Sequence, residues 1–126
     1  MKKLYFGIVA LLALVLTACP GGAAVNVAGT WNGRATSQTN PSAFIYIQYV
    51  LTDTNGTLGG TYNECNGPGT GCSGGIPVTG TRNGNNANFT VGSGGATFSV
   101  TGTFNGNAFT GTGSYVGTPV NVTLNR

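Results

Sequence analysis

The chain has no histidine, and its only acidic side chains are Asp53 and Glu64. Without histidine, serine triads and Cys–His dyads of the usual kind cannot be assembled. Glycosidase chemistry needs two carboxyls roughly 5–10 Å apart. Asp53 falls at a hairpin tip and Glu64 at the far end of the strand that follows, and a strand extends by about 3.3 Å per residue, so the two cannot cooperate. A metal site lacks the usual nitrogen, sulfur and oxygen ligand sets, so neither a metal nor another cofactor is expected. Glycine-rich stretches such as 92–95 do not lead into a helix, which makes them turns rather than phosphate cradles. The residue inventory points to a protein that is not an enzyme.

Charge is also scarce: only 6% of residues are charged. Lys2 and Lys3 belong to the leader discussed below. Beyond it, Arg34, Arg82 and Arg126 stand against Asp53 and Glu64, a net charge of +1. There is no basic patch of the kind a phosphate backbone requires, and nucleic acid is not an expected partner.

The chain has no apolar run of the roughly 20 residues that a spanning helix needs. Leu4–Leu16 is an uncharged apolar run of 13 residues behind Lys2 and Lys3, the proportions of an export signal. Leu16-Thr17-Ala18-Cys19 then resembles the lipobox of bacterial lipoproteins: a leucine, two small residues and the cysteine whose thiol takes a diacylglyceryl group. The resemblance implies a signal helix over 1–18, cleavage before Cys19, lipidation of Cys19 (palmitate-type acyl chains among them) and attachment to a membrane. Two or more acyl chains anchor stably where one does not. Pro20 follows Cys19. In the sorting rule of that family an aspartate there retains the protein in the inner membrane, so the resemblance implies the outer membrane of a two-membrane envelope. The expected organisation is a signal peptide at 1–18, a lipidated tether at 19–24 and one domain at 25–126; the 108 residues left after cleavage suffice for one small domain and not two.

Cys65 and Cys72 flank a Gly/Pro-rich loop. An exported protein meets an oxidising compartment, so the pair is expected to form a disulfide. A structural staple, a redox-active pair and a clamped binding loop are all open readings. Closing so short a loop contributes about 2–3 kcal/mol.

What is abundant is glycine, 23 residues of it, together with threonine and asparagine. The mature chain alternates with a period of two, the strand signal. Val25, Val27, Gly29, Trp31, Gly33 and Ala35 share one parity. Residues 43–52 are β-branched and aromatic on both faces, and Asp53-Thr54-Asn55-Gly56 is a hairpin turn. Leu58, Gly60 and Tyr62 carry the next strand; Ile76, Val78 and Gly80, then Ala87, Phe89 and Val91, follow. Phe98, Val100, Gly102 and Phe104 precede Phe109, Gly111, Gly113 and Tyr115, and Val120, Val122 and Leu124 close the chain. Eight strands with tight turns at short, regular spacing predict an all-β fold, and a simple meander of that number closes most naturally into an antiparallel up-and-down barrel. The opposite parity is mostly threonine and asparagine, whereas a barrel in lipid shows an apolar band outward. A water-soluble barrel is therefore expected. Phe44, Tyr46 and Val50 form a second apolar face, expected to meet a partner or a membrane or to cover a satellite core.

Gly29-Thr30-Trp31 on the first strand, with Arg126 ending the last, resembles the calycin pattern of lipocalins and avidin-like barrels. That resemblance implies Trp31 packed beneath Arg126 at one barrel end. It departs from avidin-type sites in having a single tryptophan, with Phe89, Phe98, Phe104, Phe109 and Tyr115 on the later strands. Those five are the candidates for lining a ligand cavity, since eight strands either fill with side chains or hold one small ligand. Arg82 has inward parity near a barrel mouth and is a weaker candidate. The functional expectation is a membrane-anchored, non-enzymatic envelope lipoprotein with a protein-interaction or structural role. The alternative is a calycin-like binder of a small or apolar ligand in the barrel mouth.

Overall fold

The computed structural model describes residues 26–92 and 97–126. The expected signal helix, the tether and Cys19 lie outside the described residues. Eight strands are present and no helix among the described residues: β1 (Gly29–Ser37), β2 (Phe44–Thr54), β3 (Thr57–Cys65), β4 (Ser73–Asn83), β5 (Asn86–Val91), β6 (Phe98–Asn105), β7 (Ala108–Tyr115) and β8 (Thr118–Asn125). Each pairs antiparallel with the next, and β8 returns to β1, so the sheet is a closed up-and-down barrel. Closure leaves no unpaired edge strand.

Local chemistry sets the corners. At the β2–β3 hairpin Asn55 and Gly56 take φ of 52° and 91°, as a two-residue turn matched to strand twist requires. Strand alternation then decides what lies inside. Trp31, Ala35, Ile47, Tyr49, Leu51, Leu58, Tyr62, Val78, Ala87, Phe89, Val91, Val100, Phe104, Phe109, Val120, Val122 and Leu124 form one buried core. The outer face is mostly threonine and asparagine, with cross-strand bonds such as Thr101 Oγ1 to Asn88 Oδ1 at 2.8 Å. Burying each large side chain contributes roughly 1.5–3 kcal/mol.

Aromatic rings run along the interior from one end to the other. Trp31 contacts Phe104 (ring centroids 5.0 Å), Phe104 contacts Phe109 (4.9 Å), Phe109 contacts Phe89 (5.5 Å) and Phe89 contacts Tyr49 (5.5 Å). The file continues through Tyr62 (5.2 Å), Phe98 (5.3 Å) and Tyr115 (5.6 Å). Inward glycines make room for it: a Cβ on Gly102 would lie 2.6 Å from Phe109 Cζ and 2.2 Å from the Thr110 carbonyl oxygen.

The first strand starts later than its alternation predicts. Val27 keeps its inward position and is 1% exposed, but its backbone has left the ladder. Its N–H donates to Asp53 Oδ2 at 3.0 Å instead of to a neighbouring strand. Residues 26–28 thereby cross one end of the barrel.

Candidate functional site

The two barrel ends differ in chemistry. The end where β1 begins is capped. There the Arg82 Nε donates to Asp53 Oδ2 at 2.9 Å, an ion pair whose side chains are 9% and 0% exposed. Burial pushes the Asp53 carboxyl upward, but the Val27 N–H, the Arg82 guanidinium and the Gly56 N–H outweigh it and hold its pKa below the ordinary value. Arg126 lies over the Trp31 ring, 4.8 Å from the centroid, while its Nη1 donates to the carbonyls of Asn26 (3.0 Å) and Ala28 (3.2 Å). Trp31 Nε1 donates to the Val27 carbonyl at 2.9 Å. These bonds tie the crossing segment over the end of the aromatic file.

The opposite end is open. Ile45, Phe98 and Tyr115 are only partly buried there. A depression of about 340 Å³ is lined by Ala35, Phe44, Ile45, Tyr115 and Val120, among others. Glu64 is the carboxylate of this rim. Both the Tyr115 hydroxyl (2.7 Å) and the Tyr62 hydroxyl (3.3 Å) donate to its Oε2. Burial, followed by the Glu64 charge, pushes the Tyr62 phenol well above its usual pKa. The hydrogen bond to Glu64, followed by burial, raises that of Tyr115. Both hydroxyls therefore stay protonated as donors at neutral pH. Below them Tyr49 is buried, and its hydroxyl has no hydrogen-bond partner among the described residues.

Three local features fix Glu64. The β3–β4 register shifts between Tyr62 and Glu64, and such bulges re-aim side chains. Opposite the shift, Gly74 and Gly75 take φ of 134° and 60°, and the Gly75 N–H donates to Asn63 Oδ1 at 2.7 Å. Immediately beyond, Cys65 and Cys72 are joined by a disulfide.

No family model, curated protein or solved structure matches this chain. The site therefore rests on its own geometry.

The open end also gathers exposed apolar side chains. Phe44 (41% exposed), Ile76 (37%) and Val116 (84%) all stand on its rim, and Val50 (38%) lies on the outer face of β2. Val116 is further distinguished by a φ of 48°, a conformation in which a β-branched residue is an outlier. On the outer wall, Arg34 stacks over Phe44, 4.9 Å from the ring centroid. Gln48 bridges two neighbours: its Nε2 donates to Asn32 Oδ1 and its Oε1 accepts from Asn63 Nδ2, at 3.0 Å each. The disulfide-closed loop turns tightly at Pro68-Gly69, with paired bonds between Gly67 and Thr70. It folds back so that Gly69 abuts the Asn32 amide.

The structure brings Trp31 and Arg126 together at the capped end and joins Cys65 to Cys72. It divides the five candidate lining aromatics. Phe89, Phe104 and Phe109 are 1–2% exposed and pack on one another, so they fill the interior rather than line a cavity. Phe98 and Tyr115 stand at the open end. Arg82, inward as its parity predicts, is occupied by Asp53. Sequence reasoning missed Glu64, Tyr62 and Tyr49 as site residues. Parity held the signal, since Glu64 continues the inward series Leu58, Gly60, Tyr62.

Proposed function

We propose that the chain is a lipid-anchored, non-enzymatic envelope lipoprotein whose small barrel is an interaction module, presenting its open end to a protein partner. The observation that carries this reading is the polarity of the barrel. The described chain enters at the capped end, where residues 26–28 are bonded down. A lipid anchor at Cys19 would join the barrel through Asn26, which sits at the capped end. The open end, with its apolar rim and the Glu64 carboxylate, is the end remote from that point of attachment. Exposed apolar side chains gathered on one end of a small domain mark an interaction site. The aromatic file favours a solid barrel over a deep lipocalin-type cavity.

A second reading is favoured by the depression beside Tyr115: a calycin-like binder of a small apolar ligand, held between Ile45, Phe44 and Val120. A ligand there would sit in the mouth and not in the core.

The test is site-specific photo-cross-linking in cells, from Val116 and Phe44 at the open end and from Asn107 at the capped end. A discrete protein adduct from the first two positions and none from Asn107 is expected. Adducts equally frequent from Asn107, or none from any position, overturn the reading. Acyl labelling of the wild type, lost in Cys19→Ser, tests the anchor; outer-membrane fractionation tests its address.

A further inference from the structure

We propose that Glu64, framed by Tyr62 and Tyr115, receives a lysine or arginine side chain of the partner that docks on the open end. The inference rests on the interaction reading above and names the chemistry of its central contact.

Four observations carry it. First, the carboxylate is held in place but not saturated. Both tyrosine hydroxyls bond Oε2, and no described residue donates to Oε1. Ionised carboxylates have about four acceptor positions, so Oε1 is available to a donor from outside.

Second, no described residue supplies this carboxylate with a cation. Arg82 is spent on Asp53, Arg126 lies over Trp31 at the capped end, and Arg34 stacks on Phe44 on the outer wall. Asp53, the other carboxylate, is given both a guanidinium and two backbone donors. The contrast within one small chain is between a carboxylate completed internally and one left to be completed from outside.

Third, the surroundings suit a cation with an aliphatic stem. Tyr62, Phe98 and Tyr115 form a contiguous set of rings next to Glu64, and ring faces attract ammonium and guanidinium groups. Long basic side chains lay their methylenes on apolar surface while the charged head seeks a partner, and Ile45 and Phe44 offer that surface in the adjoining depression. The exposed Phe44, Ile76 and Val116 around the rim would exclude water from the contact, as apolar surrounds do at interface centres.

Fourth, the backbone is specialised at this residue. The register shift and the disulfide adjoin Glu64, and the two glycines at positive φ lie across the β3–β4 ladder from it. They hold one carboxylate over the mouth. Bulges concentrate beside functional sites for this purpose.

The experiment titrates the full-length lipoprotein in detergent with three probes at low and physiological salt: a labelled, amidated pentalysine, a pentanorleucine of equal length, and n-butylammonium. Pentalysine should bind saturably and weaken as salt rises, as exposed charge pairs do. Glu64→Gln should weaken it about fivefold, and Tyr115→Phe by less, with the unfolding temperature of each variant within a few degrees of wild type. Glu64→Lys should transfer the preference to pentaglutamate. That charge swap keeps the test valid if either neutral variant folds poorly. No saturable pentalysine binding, equal binding of pentanorleucine, or undiminished binding to both Gln and Lys variants overturns the proposal. Butylammonium binding as tight as the peptide overturns the protein-borne source of the cation. Open-end cross-links that persist unchanged in Glu64→Gln overturn the cation assignment while leaving the interaction reading standing; loss of all open-end cross-links in wild type overturns the interaction reading itself.

Discussion

Arg126, the last residue, closes over Trp31 of the first strand and simultaneously bonds the carbonyls of Asn26 and Ala28. One guanidinium thus joins the end of the chain to the start of the domain. Arg126→Ala should lower stability by about 1–2 kcal/mol, from the lost cation–ring contact and the lost charge-assisted bonds. Arg126→Lys should restore part of it, because an ammonium cannot make the same planar stack and fork. Urea denaturation measures the loss. Amide exchange should show it concentrated at residues 26–28.

Asp53 gives the fold an acid limit. Its folded pKa lies below the ordinary 3.8 because the bonds from Val27, Arg82 and Gly56 outweigh burial. A carboxyl depressed on folding contributes stability that is present above the unfolded pKa and is lost as pH falls through the folded one. Stability should therefore be flat from neutral pH to about pH 5 and fall below about pH 4. Asp53→Asn should remove most of that acid slope and destabilise the protein at pH 7 by about 3 kcal/mol, since Arg82 is left covered and unpaired. Thermal melts across pH for the two proteins check both statements.

Tyr49 carries a hydroxyl that is buried without a partner among the described residues. An unsatisfied buried group costs about 1–3 kcal/mol. Tyr49→Phe keeps the ring contacts with Tyr62 and Phe89 and removes the hydroxyl. The variant should be more stable by about 1 kcal/mol, read as a higher denaturation midpoint with an unchanged slope. A loss of stability would mean that the hydroxyl is satisfied in solution.

Val116 holds a left-handed conformation at an exposed hairpin tip, ahead of Gly117 at φ 78°. Val116→Asn reproduces the Asn-Gly chemistry of the β2–β3 turn and should stabilise by about 1 kcal/mol, raising Tm by about 4–8 °C. It should also reduce partner adducts at the open end. Stabilisation joined to weaker interaction would identify Val116 as a residue retained for contact.

The fold was largely legible because period-two alternation and Asn-Gly turns are local signals. The seven strands to which alternation assigned an inward series carry its described members on the inner wall or, as with Ile76, at the open rim; β2, apolar on both faces in the sequence, had no such assignment. Trp31 and Arg126 were legible as a pair only through the resemblance to calycin-type barrels, since they are far apart in the chain. The ion pair was not legible: Asp53 and Arg82 come from strands that are not neighbours and meet only once the barrel closes. Glu64 was missed although β3 keeps its parity: it stands next to the cysteine loop, and its tyrosine partner from β7 is 51 residues away. The filling of the interior was also out of reach. Alternation says that Phe89, Phe104 and Phe109 face inward, but whether rings meet across a barrel depends on its radius, set by strand number and stagger, and on the room that inward glycines such as Gly102 leave.

The crossing segment at residues 26–28 has a mechanical consequence. A pull applied through it runs along β1, which is hydrogen-bonded on one side to β2 and on the other to β8. The load falls in shear on both ladders at once rather than peeling them bond by bond. Extension from residue 26 would have to break both ladders of β1 together, whereas the first strand of an open sheet would hold by one.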